Sequence, residues 1–391
     1  MRKSRLPQGG ENIFQKIKRI SAEAEAKGVK IYRLSIGQPK GPAIESARKA
    51  ASLAILSDEE RMHEYQDNGS PGCPDFAKKF VQAHISSVSL DGADVAYLPI
   101  PGIKPMLPQV IMACGKNVIV AGMTRPGYPV PETWANYLDQ IYIPLSTNPD
   151  NYFLCHSDEL SSGSVDLVMC NYPHNPSGQI ATREFWENFC EICVETNTRL
   201  FNDAAYAMLA HSPKACTLAE VAIKFPLSWA EAYSASKVIG NGTGWRIAAM
   251  VGSPDFIGDI ATIKGNTDSG FNAALANGVL TAVEKDKATI DSIRETYAAR
   301  LSWLNTVLGS YGMKLAVEPS AGFFSLFMVP RKAFGQSIKD AEQFNTLMIQ
   351  NTGIVGVHFR EYIRYSVTAP LENIEWQETI HEGFKKANVS Y

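Results

Sequence analysis

The sequence predicts an α/β fold in which a mostly parallel sheet is covered by helices on both faces. Three observations carry this expectation. Short runs that are apolar almost throughout, such as 166–170 and 199–202, alternate with stretches of helical periodicity, the pattern of strands buried on both faces. Gly, Pro, Asn and Asp cluster just after those runs, where strands hand over to loops and helices. The 391 residues also exceed what one small core organises, so two or three domains are expected.

In chain order, residues 1–10 read as a basic arm. From Asn12, the residues Ile13, Phe14, Ile17 and Ile20 recur at helical spacing, and Gly28 supplies a stop. Residues 31–36 read as a strand, followed by an irregular loop from Gly37 to Pro42 whose backbone can face a ligand. The turn-rich block from Tyr65 to Gly72 precedes a helix over 74–85. A strand over 94–99 then passes through Pro101-Gly102-Ile103-Lys104-Pro105 into a helix over 106–114. A glycine turn between strand and helix offers free backbone N–H groups to a phosphate, although Pro105 removes one donor. Strands over 117–121 and 140–145 flank the Pro126-Gly127-Tyr128-Pro129 turn and a short helix. The strand over 166–170 ends in Asn171-Tyr172-Pro173-His174-Asn175-Pro176-Ser177-Gly178. A helix over 182–196 and a strand over 199–202, ending at Asp203-Ala204-Ala205-Tyr206, follow it. From Ser253 to Leu308 the pattern is strongly helical and is read as the join between a large and a smaller domain. Strands over 314–317, 322–327 and 362–367, with helices over 338–351 and 373–386, complete the chain.

Composition narrows the function classes. Apolar residues at 45% and charged residues at 20% are ordinary for a soluble globular protein. The net charge of −3 gives no global reason to expect nucleic acid or an anionic membrane as partner, and no apolar run approaches a membrane span. Cys190 and Cys193 form a C-x-x-C, but inside a helical pattern that marks them as core. With no secretory signal read at the start, the expected setting is a reducing cytoplasm with free thiols. No histidine pair has ligand spacing, so no metal site is expected.

The stretch from Ala232 to Val251 carries the chemistry. Lys237 follows Ser234 and Ser236 and precedes three glycines and Arg246. A lysine held at the end of a buried strand loses hydration, which lowers its pKa and favours the neutral, nucleophilic amine. The two serines and Arg246 can hold a phosphate beside it. A nucleophilic lysine next to a phosphate seat suggests pyridoxal phosphate bound as a Schiff base. The plainer alternative is a strand, a glycine-rich turn and a second strand around a solvated lysine. Ligands of parallel sheets bind off the carboxyl ends of the strands, and Asn175, Asp203 and Lys237 all fall just beyond such ends.

Asn-Pro-Ser-Gly at 175–178, Asp-x-x-Tyr at 203–206, Ser-x-Ser-Lys at 234–237 and Gly-Trp-Arg at 244–246 stand in a fixed order. That order resembles the class I/II aminotransferases, pyridoxal-phosphate enzymes of fold type I, over nearly the whole chain. The resemblance implies a large domain with a mostly parallel seven-stranded sheet between helices, plus a smaller α+β domain. The expected division is 1–40 for an arm and helix packing with the small domain, 41–285 for the large cofactor-binding domain and 286–391 for the small one.

The same resemblance assigns roles. Lys237 is the Schiff-base lysine and proton carrier, Asp203 the partner of the pyridine nitrogen, and Asn175 and Tyr206 the donors to the ring's 3-oxygen. Read from residues alone, Asp203 is equally a helix N-cap, Asn175 an ordinary turn residue and Tyr206 a core tyrosine. Ser234, Ser236, Arg246 and the turn at Ile103 and Lys104 correspond to the phosphate seat, and Tyr128 to the aromatic stacked on the ring. Tyr65 corresponds to a tyrosine reaching the phosphate of a second subunit, which implies a homodimer. Arg364 corresponds to the arginine gripping the substrate α-carboxylate, with Gly37 and Asn175 beside it and Arg360 as a weaker rival. The alternative to that grip is an interdomain salt bridge.

Within the family, Arg-Pro-Gly-Tyr-Pro-Val, Asn-Asp-Ala-Ala-Tyr and Lys-Gly-Asn-Thr-Asp-Ser-Gly look most like the LL-diaminopimelate aminotransferase branch. The phosphate turn, the nine-residue step from Lys237 to Arg246 and the short segment before Arg364 depart from that branch. The implied reaction is ping-pong amino transfer between an L-amino acid and a 2-oxo acid, on a glutamate- or diaminopimelate-like substrate. Lys40, Lys104 and Arg360 are the cations available to an acidic side chain. A lyase eliminating at Cβ or Cγ is the alternative on the same fold, and a non-catalytic cofactor-binding relative is a third.

Overall fold

The computed structural model describes residues 13–391 apart from 86, 162 and 163, so the basic arm over 1–10 lies outside the described residues. The chain runs α1 (Ile13–Glu25), β1 (Tyr32–Arg33), α2 (Glu45–Ile55), α3 (Phe76–His84), β2 (Ala96–Ile100), α4 (Leu107–Ala113), β3 (Ile119–Gly122), α5 (Val130–Tyr137), β4 (Ile141–Pro144) and β5 (Leu167–Cys170). It continues with α6 (Arg183–Thr196), β6 (Arg199–Asp203), α7 (Ala219–Ala222), β7 (Trp229–Ser234), β8 (Ala248–Gly252), α8 (Pro254–Lys264), α9 (Ala273–Lys285) and α10 (Lys287–Ser310). The C-terminal part holds β9 (Phe324–Met328), β10 (Lys332–Ala333), β11 (Gln336–Ser337), α11 (Ala341–Thr352), β12 (Ile354–Val355), β13 (Val357–Phe359), β14 (Tyr362–Ser366) and α12 (Ile374–Ala387).

Seven strands form the central sheet in the order β2-β8-β7-β6-β5-β3-β4. Only β8 runs against its neighbours, pairing antiparallel with both β2 and β7. The strands alternate because each face meets its own helical layer. On β7, Trp229 and Tyr233 enter one core with Phe80, Trp186 and Phe189, whereas Ala230 and Ala232 enter the other with Val110, Phe201 and Ile260. Full burial of a side chain such as Phe201 contributes about 1.5–3 kcal/mol. A second, three-stranded antiparallel sheet, β13-β14-β9, packs on a separate core that includes Tyr297 and Leu304 of α10, Phe344 of α11 and Phe384 of α12.

Capping explains several boundaries. Thr182 accepts from the Phe185 N–H at the start of α6, Asn272 from Leu275 N at α9, Asp340 from Gln343 N at α11 and Asn373 from Glu375 N at α12. Two sequence expectations need correction, one resolves into separate helices, and one helix was missed. The strand expected over 31–36 contracts to β1, because Leu34 turns into the core and the chain then enters the Gly37 loop. Residues 314–317 form no strand and make only an isolated bridge from Leu315 to Phe327. The helical region after Ser253 is three helices, broken after Lys264 and again at Asp286. Helix α2 was not expected at all; its buried residues are only Ala47 and Ala51, too small to register as an apolar stripe.

Candidate active site

Strands β2, β3, β5, β6 and β7 run in one direction, so their carboxyl ends share one edge of the sheet. Because β8 is reversed, Arg246, which precedes it, returns to that same edge. The edge opens into a cavity of about 490 Å³ bounded by Lys237, Asp203, Tyr206, Asn175, Tyr128, Ile103, Lys104, Ser234, Ser236, Arg246, Gly37 and Arg364. The residues assigned to the cofactor and the α-carboxylate therefore converge, except Tyr65, which is 78% exposed and lies outside this cavity, as do Lys40 and Arg360.

Burial tunes the two central groups in opposite senses. The Lys237 amine is lowered to about 8, first by desolvation and then by the nearby Arg246 charge, while Asp203 partly restores it. Asp203 is buried, and desolvation raises its carboxyl to about 6 against the opposing pull of the Ala205 N–H and of Lys237. Its Oδ1 accepts from Ala205 N at 3.2 Å, a local turn contact; the short helix that follows has Tyr206 at its N-cap position, so Asp203 is not the helix cap the residues alone allowed. A buried carboxylate with one backbone donor and a raised pKa calls for a cationic N–H donor.

Asn175 is fixed from both sides. Its backbone N–H donates to Asn171 Oδ1 at 3.2 Å, and Asn171 Nδ2 donates to the Asp203 carbonyl at 2.8 Å. Arg364 Nη1 donates to Asn175 Oδ1 at 2.8 Å, which leaves the Asn175 amide N–H groups for a ligand. Arg364 extends from β14 on the side away from Ile363 and Tyr365, which enter the core. It is 2% exposed, its guanidinium lies 4.0 Å from the Phe324 ring centroid, Nη2 donates to the Ser35 carbonyl at 3.3 Å, and Nε is buried without a partner among the described residues. Burial lowers its pKa to about 10, so it stays charged at neutral pH. A buried cation with an unpaired N–H is suited to an anionic ligand. Burial also pushes the phenols of Tyr128 and Tyr206 well up, so both remain protonated donors.

The phosphate end is shaped by Gly102, which sequence reasoning placed in a turn without assigning it a role. Its φ is +90°, and a Cβ there would collide with the Arg246 guanidinium. Arg246 itself holds a φ of +58° and donates from Nη1 to the Thr243 carbonyl at 3.0 Å. Ser234 Oγ accepts from Ser236 N at 3.1 Å, which closes the turn ahead of Lys237. An exposed arginine, two serines and the Ile103–Lys104 turn make a cradle with the chemistry of a phosphate site. Together with the buried acid and lysine, this donor set fits pyridoxal phosphate. Phe14, Asn171, Phe324 and Phe359 also bound the cavity and were not expected there; only the helical phase of Phe14 hinted at a role, and that hint pointed to packing. Arg360, the rival for the carboxylate, is exposed and does not bound the cavity.

The fold and the site define a class, and the family pattern for class I and II aminotransferases matches residues 29–378. The chain belongs to that family and is an aminotransferase. Among its relatives, the LL-diaminopimelate aminotransferase of Methanocaldococcus jannaschii is 28% identical over 345 residues, covering 86% of this chain and 80% of that one. The enzyme of the same name from Syntrophobacter fumaroxidans is 29% identical, covering 93% of each chain. Substrate-bound BacF from Bacillus subtilis superposes with a TM-score of 0.83 at 20% identity, covering 98% of this chain and 96% of that one. Aspartate aminotransferase from Thermotoga maritima gives 0.80 at 19% identity, with 96% of each chain covered. The relatives named here as aminotransferases transfer amino groups, and the elimination alternative is not favoured.

Proposed function

We propose that the cavity holds pyridoxal 5′-phosphate and that the chain uses it to move an amino group from an L-amino acid to a 2-oxo acid in two half-reactions. The observation that carries this reading is the pair of oppositely tuned groups at the ends of adjacent strands, buried Asp203 closing β6 near 6 and half-buried Lys237 in the turn after β7 near 8. When bound, the cofactor supplies an electron sink for the pair left behind as the Cα–H bond breaks. With its pKa lowered to about 8, Lys237 has an appreciable neutral fraction near physiological pH and would hold the cofactor through its amine. The same amine would carry the substrate's Cα proton, as base and then as acid.

Asp203 would accept the pyridine N–H, Asn175 and Tyr206 would donate to the ring's 3-oxygen, and Tyr128 would cover the ring. Ser234, Ser236, Arg246 and the backbone at Ile103 and Lys104 would hold the phosphate. Arg364 grips the α-carboxylate with its fork beside Gly37, where a Cβ would already sit 4.0 Å from Nη2. Tyr65 serves the site of a second copy, and the exposed Leu53 and Ile55 of α2, with Leu56 at its C-cap, supply apolar surface for that homodimer. Some relatives are named for LL-diaminopimelate, which makes that amino acid the rival substrate tested below.

The test is an absorbance titration of protein loaded with pyridoxal phosphate. A visible band that an L-amino acid bleaches and a 2-oxo acid restores is the expected result. Release of ammonia with no restorable bleaching would overturn amino transfer. Imine absorbance persisting in Lys237→Ala would overturn the lysine assignment.

A further inference from the structure

Beyond the groups assigned to the cofactor and the α-carboxylate, the cavity wall is aromatic. Phe14 of α1, Phe324 of β9 and Phe359 of β13 bound it. The Arg364 guanidinium lies 4.0 Å from the Phe324 ring centroid and 5.5 Å from that of Phe359. A substrate whose carboxylate sits on Arg364 therefore starts its Cα substituent beside aromatic faces. Phe14, 43% exposed, stands at the rim of the cavity. Contact with these aromatic rings favours an apolar group and disfavours a charged one.

An acidic side chain needs a second cation, and among the described residues the candidates named from the sequence are poorly placed to supply it. Lys40 Nζ lies 5.9 Å from the Trp376 ring centroid and does not bound the cavity. Arg360 is outside the lining too, and its charge acts on Glu132. Lys104 does bound the cavity, but from the turn that faces the phosphate seat with Arg246.

We propose that the amino donor carries a large apolar side chain, of the phenylalanine, leucine or methionine kind, packed against Phe14 and Phe359. This rests on the reading of the cavity as an amino-transfer site. Discrimination by such a wall is set by apolar contact, with about tenfold or more lost when a large hydrophobic contact is removed.

The experiment follows the half-reaction of the loaded protein with phenylalanine, leucine, methionine, alanine, glutamate, aspartate and LL-diaminopimelate. Calorimetric binding of two unreactive carboxylates, 3-phenylpropionate and glutarate, accompanies it. The expected result is a kcat/KM for the large apolar donors about tenfold or more above that for the charged donors. 3-Phenylpropionate should also bind more tightly than glutarate. Phe14→Ala should lower the phenylalanine-to-alanine ratio of kcat/KM by about tenfold, and Phe14→Arg should shift preference toward glutamate. Phe359→Ala is the second variant, read after Phe14 because its ring also touches Arg364. Glutamate, aspartate or LL-diaminopimelate emerging as the best donor overturns the inference and leaves amino transfer standing. A ratio unmoved in both alanine variants overturns the assigned wall. No conversion with any donor overturns both readings.

Discussion

At the scale of single residues, Asp203 couples function to stability with an unusual sign. Its folded pKa is raised from 3.8 to about 6 by burial. The folded state therefore holds a proton that the unfolded state has already released, and stability falls as pH rises from about 4 through about 6. At neutral pH the penalty in the cofactor-free protein is up to about 3 kcal/mol. Asp203→Asn keeps an oxygen to accept the Ala205 N–H and removes the charge. It is expected to melt higher than the parent at pH 8 without cofactor, to match it at pH 4, and to lose roughly a hundredfold or more in half-reaction rate. Equal melting at both pH values would show that Asp203 is solvated. Lys237 has the complementary behaviour: with its pKa lowered to about 8, its neutral fraction grows as pH rises through 8. The rate of cofactor capture should climb from about pH 6 through 8 and level off roughly one unit above the pKa, as read by stopped-flow absorbance. Gly102→Ala places a methyl against Arg246 at a positive φ and should weaken cofactor binding by about tenfold or more.

At the scale of elements, a buried hydrogen-bond network holds the ends of three strands in register. Glu231, in the middle of β7, accepts from Asn202 Nδ2 at 2.7 Å, Tyr233 OH at 2.6 Å, Ala219 N at 2.8 Å and Leu218 N at 3.1 Å. Asn202 of β6 in turn accepts from Tyr172 N at 2.8 Å and donates to the Tyr172 carbonyl at 2.9 Å. Tyr172 begins the turn that delivers Asn175, so a carboxylate outside the cavity fixes the orientation of a residue inside it. Its charge is tolerated because four donors surround it, although burial still raises its pKa. Glu231→Ala strands those donors and should cost roughly 3 kcal/mol or more in urea unfolding. Asn202→Ala should loosen the Asn175 turn, raising KM more than it lowers kcat. Equal effects on both constants would count against a positioning role.

At the scale of the whole molecule, the proposed homodimer makes a sharp prediction. Tyr65→Ala and Lys237→Ala each disable a site, but on different chains of the shared active site. Mixing and refolding the two variants should regenerate one intact site per hybrid, about a quarter of parental activity at equal mixing. No recovery from a mixture that forms hybrids would place Tyr65 outside the partner's site. The exposed Leu53 and Leu56, at 74% and 77%, are the apolar surface such a dimer would cover.

The sequence by itself determined the α/β class and the order of the chemical pieces, because apolar strand runs and their Asn, Asp and Lys endings are local patterns. Lys237, Asp203, Asn175 and Arg246 were legible since each follows or precedes a strand at the edge where parallel sheets bind ligands. Tertiary structure alone decided the rest. Helix α2 stayed hidden because its contacts are made by alanines. Glu231 looked like one polar residue in a strand until Asn202 and α7 closed around it. The aromatic wall joins α1 to β9 and β13, some three hundred positions further along the chain. Side chains brought together over that distance leave no periodicity to read, and their meeting is fixed only when the separate cores pack.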